Sequence, residues 1–140
     1  MSKFVFTLSV LLASSAFAHI EQGTHAGLTA DGQVCSMIAG AQTFENNMPH
    51  PLNERIALTV NGHAFVVRHP AVIDVSTSTA SFNHDLFEGV LAVSGGAKAL
   101  VVKMAHTADF EGPTEYTLIE NNWKTGEKKS FTCTGLKFQD

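Results

Sequence analysis

Residues 56–68 read IALTVNGHAFVVR, and the Asn61-Gly62 pair at their centre decides how the chain folds. Asn-Gly tolerates positive φ at both central positions of a tight hairpin, where the turn matches the twist of the flanking strands. A two-residue turn there sets Val60 opposite His63, Leu58 opposite Phe65 and Ile56 opposite Val67. Five of those six side chains are strongly apolar and all six share one face. Ala57, Thr59, Ala64, Val66 and Arg68 fall on the other. One buried and one wet face is the pattern of an antiparallel strand pair.

Three more turn signals divide the chain in the same way. Asp31-Gly32 separates residues 25–30 from 33–44, Gly95-Gly96 separates 86–94 from 97–106, and Lys124-Thr125-Gly126 separates 115–123 from 127–138. The Gly95-Gly96 register puts Phe87, Leu91 and Val93 on one face with Leu100, Val102 and Met104. It also sets Glu88 against Lys103, an opposite-charge pair that a slip of one residue would break. No apolar stripe of helical period follows residue 18. Residues 45–55, carrying Pro49-His50-Pro51, and 107–114, carrying Gly112-Pro113, read as loops. The chain is therefore all-β: a small antiparallel β-barrel or sandwich of about eight strands built from four hairpins.

The first 18 residues, MSKFVFTLSVLLASSAFA, read differently. Lys3 supplies a short positive start, an apolar stretch follows, and Ala16-Phe17-Ala18 is a small-x-small cleavage signal. The stretch is too short for the roughly 20 residues of a membrane-spanning helix. The expected organisation is a signal peptide over 1–18 and a single all-β domain over 19–140, with no transmembrane segment in the mature chain. The sequence holds no Asn-x-Ser/Thr sequon, which points to a bacterial protein, periplasmic or secreted, rather than a eukaryotic glycoprotein. In an oxidising compartment Cys35 and Cys133 are expected to form a disulfide. Such a bridge closes a loop nearly as long as the domain, worth about 4–5 kcal/mol in the chain-entropy picture. With one cysteine in an early strand and one in the last, it is expected to fasten the two ends of the sheet together.

Only 16% of the 140 residues are charged, and 9 basic against 13 acidic side chains give a net charge of −4. With no basic run, this composition argues against nucleic-acid binding. Two cysteines are too few for a zinc ribbon. The sequence contains no G-x-S-x-G elbow, no H-E-x-x-H and no Cys-x-x-Cys, so it points away from an enzyme.

Three groups of residues carry the candidate chemistry. Phe44, Met48 and His50 lie in or beside the proline-stiffened loop, and Trp123, the only tryptophan, sits beside a turn. These four are candidate ligand-binding residues for a small hydrophobic ligand or an envelope protein at a barrel mouth. Seven histidines offer copper or zinc ligands. His19 becomes the first residue after cleavage and resembles half of the histidine brace of copper monooxygenases, with His25 or His106 as a second ligand. The extended Gly95-Gly96 register sets Asp85 opposite His106. A carboxylate beside an imidazole fixes its tautomer for metal binding or for general-base work in a hydrolase.

Ser94-Gly95-Gly96-Ala97-Lys98 and Trp123-Lys124-Thr125-Gly126-Glu127 resemble the Ser-Gly loop and C-terminal region of periplasmic inhibitors of C-type lysozyme. Those are also small exported β-barrels with a disulfide. The resemblance covers ten residues, and the two pieces lie farther apart here than in that family. The leading expectation is thus a non-catalytic exported β-domain that binds a ligand or protein partner. A deep cavity would favour a small hydrophobic ligand, and a filled interior would favour recognition of a protein.

Overall fold

The Asn61-Gly62 hairpin forms in the register its alternation requires: Ile56 faces Val67, Leu58 faces Phe65 and Val60 faces His63. Asn61 and Gly62 both take positive φ, 49° and 74°. The computed structural model describes residues 20–50, 53–69, 71–74, 79–82, 86–106 and 113–140. The 1–18 leader, His19, Asp85 and most of the 107–114 loop lie outside the described residues.

Ten strands follow one another: β1 (Gly23–Thr29), β2 (Val34–Phe44), β3 (Glu54–Val60), β4 (His63–Val67), β5 (Ala71–Asp74), β6 (Thr79–Phe82), β7 (Leu86–Val93), β8 (Lys98–His106), β9 (Pro113–Asn122) and β10 (Lys128–Phe138). Eight of them form one antiparallel sheet in the order β4-β3-β2-β1-β10-β9-β8-β7. The four hairpins of the sheet are those the turn residues mark. Its two edge strands meet where Arg68 and Glu88 exchange backbone hydrogen bonds of 3.0 and 2.8 Å. The sheet thus curls into a nearly closed eight-stranded barrel, which removes most of the exposed edge.

Turn chemistry sets the details. Ser94 joins Gly95 and Gly96 at positive φ, so that loop is wider than two residues. The register is unchanged, and Glu88 stands opposite Lys103 with an ion pair of 3.5 Å. At Asp31-Gly32 the amide of Thr29 donates to the Gln33 carbonyl and Gly32 donates to the Thr29 carbonyl. That makes a three-residue loop with Gly32 at positive φ, 81°. The β5–β6 ribbon has no turn signal in the sequence, since residues 75–78 contain no Gly-bearing pair.

Side chains fill the barrel interior. Met37, Leu58, Val60, Val67, Val102, Met104 and Tyr116 are all less than 2% exposed. Burying each of the larger ones contributes about 1.5–3 kcal/mol. Tyr116 is the largest, and its hydroxyl donates to the Ser36 carbonyl at 3.0 Å. Burial pushes its phenol above its ordinary pKa. Among the described residues no helix is long and apolar enough to cross a membrane.

Cys35 and Cys133 are bridged, 98 positions apart, but the bridge does not join the ends of the sheet. Those ends are β4 and β7; the cysteines lie on β2 and β10, the two neighbours of β1. The correction follows from chain order. The last strand pairs with the first, so the termini meet in the middle of the sheet. The bridge passes over β1 at Gly27, which stands opposite Cys35. A Cβ on Gly27 would overlap the Thr134 carbonyl oxygen and press on Cys133 Sγ at 3.3 Å.

Gly27→Ala is therefore expected to lower the unfolding free energy by about 1–3 kcal/mol, the usual range for a forced overlap in a packed site. Urea unfolding with the disulfide intact measures it. Gly62→Ala has open space around its Cβ and tests only the cost of positive φ. An unchanged midpoint for Gly27→Ala would remove the crossing as a packing constraint.

Candidate functional site

Antiparallel hairpins put all four of their turns at one end of the barrel. That end forms a mouth with an apolar floor of Leu100, Leu118 and Phe131 and a rim of Asn61, His63, Glu120 and Lys129 around a cavity of about 240 Å³. Leu100 and Glu120 face each other across β8 and β9, as do Leu118 and Phe131 across β9 and β10. The same inward alternation that fills the core therefore ends in charged residues at the lip. Lys98 Nζ donates to Glu120 at 2.9 Å. That hydrogen bond holds the Glu120 carboxyl below its ordinary value, and it holds the Lys98 ammonium above its own.

Beside the mouth runs a wider groove of about 710 Å³ between the β1–β2 turn and the first half of β10. Its lining includes Gln33, Val34, Ser36, Ser130 and Thr132, and it shares Asn61, Ser130 and Phe131 with the mouth. Trp123, 72% exposed, stands on the β9–β10 turn at this end. Its amide donates to the Ala97 carbonyl at 3.1 Å. The β7–β8 and β9–β10 turns are therefore adjacent.

The opposite end holds a buried polar cluster. His69 Nε2 lies 3.0 Å from Glu54 Oε2, and the two side chains are 3% and 7% exposed. His69 Nδ1 lies 3.2 Å from the Leu86 carbonyl, and Gln42 donates to Glu54 Oε1 at 2.7 Å. A carbonyl holds no proton, so Nδ1 donates to it. Nε2 and the Glu54 carboxyl then share one proton between them. The His69 ring also packs on Phe87 with centroids 3.9 Å apart. The cluster ties β2, β3 and the end of β4 to the start of β7, across the line where the barrel closes.

The sequence-derived candidates are scattered. Phe44 ends β2, and Met48 and His50 follow it in the loop before β3, at the end of the barrel away from Trp123. His25 is 2% exposed in β1. Its Nε2 donates to the Glu21 carbonyl at 2.8 Å, its ring meets Phe138 edge-on, and Nδ1 has no hydrogen-bond partner among the described residues. His106 is the last residue of β8, and Leu86 pairs with Ala105 just before it. Asp85 and His19 lie outside the described residues. Among the described residues no group of three His, Cys, Asp or Glu is placed to hold a metal ion.

Glu54, His69 and Glu120 belong to no motif in the sequence, yet alternation marks all three, Glu120 as the continuation of Tyr116 and Leu118. Glu54 continues the inward series of Ile56, Leu58 and Val60, and His69 continues that of Phe65 and Val67. A charged residue on a core-facing position is the available signal.

No protein-family model, curated protein or solved structure matches this chain. The likeness to lysozyme inhibitors thus stands on its ten residues alone.

The lowered Glu120 carboxyl stabilises the lip above its unfolded value of 4.5, and this is lost as pH falls through the lowered value. The raised Lys98 contributes below 10.5, and this is lost as pH rises through the raised value. Carbon-detected NMR titration should find Glu120 ionising below 4.5, and in Lys98→Met closer to 4.5. Identical midpoints would dissolve the pairing. At the other end, His69→Ala leaves a buried carboxyl short of its imidazole. It should lower the unfolding free energy by about 3–5 kcal/mol in urea.

Proposed function

We propose that the protein is a non-catalytic binding domain of the bacterial cell envelope, periplasmic or secreted, that engages a protein partner with the turn end of its barrel. The observation that carries this reading is the filled interior beneath an open mouth. Buried side chains from both halves of the sheet pack together in the interior, whereas the mouth, the groove and exposed Trp123 lie at one end. Tryptophan in such a place is a preferred anchor of protein interfaces. A leader-like first segment supports export, and the disulfide is at home in an oxidising compartment.

Pull-down from envelope extracts, with native mass spectrometry of the purified domain, tests the proposal. Trp123→Ala should weaken a captured partner by at least tenfold, about 1.4 kcal/mol, with an unchanged circular dichroism spectrum. A co-purifying hydrophobic small molecule and no partner would overturn it.

One narrower reading has an observation in its favour. The two segments that resemble lysozyme inhibitors are distant in sequence but adjacent at the mouth, joined by the Trp123–Ala97 hydrogen bond. The partner implied by that resemblance is a C-type lysozyme. A muramidase assay decides it: undiminished lysis at molar excess of the domain removes this partner and leaves the broader reading.

A further inference from the structure

The groove beside the mouth exists because two strands part company. β1 pairs with β10 only from Cys133 to Phe138, whereas β9 pairs with β10 from Lys128 to Thr134. Among the described residues, the first five of β10 therefore have a strand on one side only. The hydrogen bond from Asn122 N to the Glu127 carbonyl sets the alternation. Glu127, Lys129 and Phe131 direct their backbone groups to β9, and Lys128 and Ser130 direct theirs away from it, toward the groove. Among the described residues no backbone bond engages Lys128 or Ser130 on that side.

Three further features describe what fits there. The groove is about 710 Å³, with Gln33, Ser36 and Asn61 on the facing wall. It opens into the apolar mouth over Phe131 and Leu118, so side chains of an added strand would alternate between mouth and solvent. At the start of the edge, Lys124 and Lys128 are exposed and make no ion pair among the described residues, while Lys129 is paired with Glu127 at 3.2 Å.

We propose that the Lys128–Thr132 edge of β10 is a strand-accepting site, which takes an extended segment of a partner polypeptide carrying an apolar residue for the mouth and an acidic residue beside Lys124 and Lys128. Main-chain hydrogen bonds to Lys128 and Ser130 hold the segment, and the pocket and the lysines select it. Neutral hydroxyl and amide groups on the facing wall would also suit a saccharide. An unpaired strand edge and two unpaired cations favour the acidic peptide. The proposal rests on the reading of the turn end as a protein-binding surface and names how that surface binds.

The test is selection of displayed random dodecapeptides on the full domain, followed by amide hydrogen exchange with the winning peptide. Enriched sequences should pair an apolar with an acidic residue, and the peptide should protect the Lys128 and Ser130 amides at least tenfold. Ser130→Pro deletes a donor that the β9 ladder does not use and should weaken the peptide at least tenfold. Lys124→Glu with Lys128→Glu, a surface change safe for folding, should do the same. Protection elsewhere, undiminished binding in both variants, or protection of these amides by N,N′-diacetylchitobiose or by a second copy of the chain without peptide would overturn it. An envelope partner released by Trp123→Ala, with no protection of this edge, would sink the strand site and leave the binding surface standing.

Discussion

Closure of the sheet is the constraint on which the rest of this molecule depends. Until β4 and β7 meet, the residues that alternate inward face an open trough. Once Arg68 and Glu88 pair, the same residues fill an enclosed interior. The meeting point is narrow, a single backbone pair flanked by Gly89, whose missing side chain lets β7 lie against the Val66 carbonyl and Val67. The Glu54–His69 cluster lies beside this join, and His69 reaches the Leu86 carbonyl across it. Buried polar groups are costly unless satisfied, so this cluster specifies one way of closing the barrel.

How much of this the sequence discloses depends on the range of the interaction. The hairpins are legible because turn residues and two-residue alternation are local: Asn61-Gly62 determines five consecutive pairs of β3 with β4. Glu88 and Lys103 confirm their register through charge, again within one hairpin. The crossing of the disulfide over β1 is not legible, since it depends on the last strand returning beside the first. The joining of Glu54, Gln42, His69 and Leu86 is hidden for the same reason, although the inward parity of two of them is visible. Among the chosen site residues, Trp123 lies at the mouth, while Phe44, Met48 and His50 lie at the other end. Sequence distance says nothing about which end of a barrel a loop occupies.

The two ends divide the labour. One carries the join and a buried, fully engaged polar cluster. The other carries turns, a shallow pocket and a lip whose charges pair in the open, where an ion pair contributes little to stability. A packed framework beneath and exposed turns above is the arrangement in which loops carry binding.

The place of β1 between β2 and β10 also dictates when folding can finish. The first strand needs a neighbour that is made last, and Gln139 still donates to Thr24 at the very end of the chain. Hairpins can form as they emerge, but the barrel cannot close until nearly every residue is present, so the decisive contacts are long-range and slow to find. A chain whose first strand is flanked by its tenth stays open until that tenth strand is in place. The bond between its two cysteines then records that β10 has found its place beside β1.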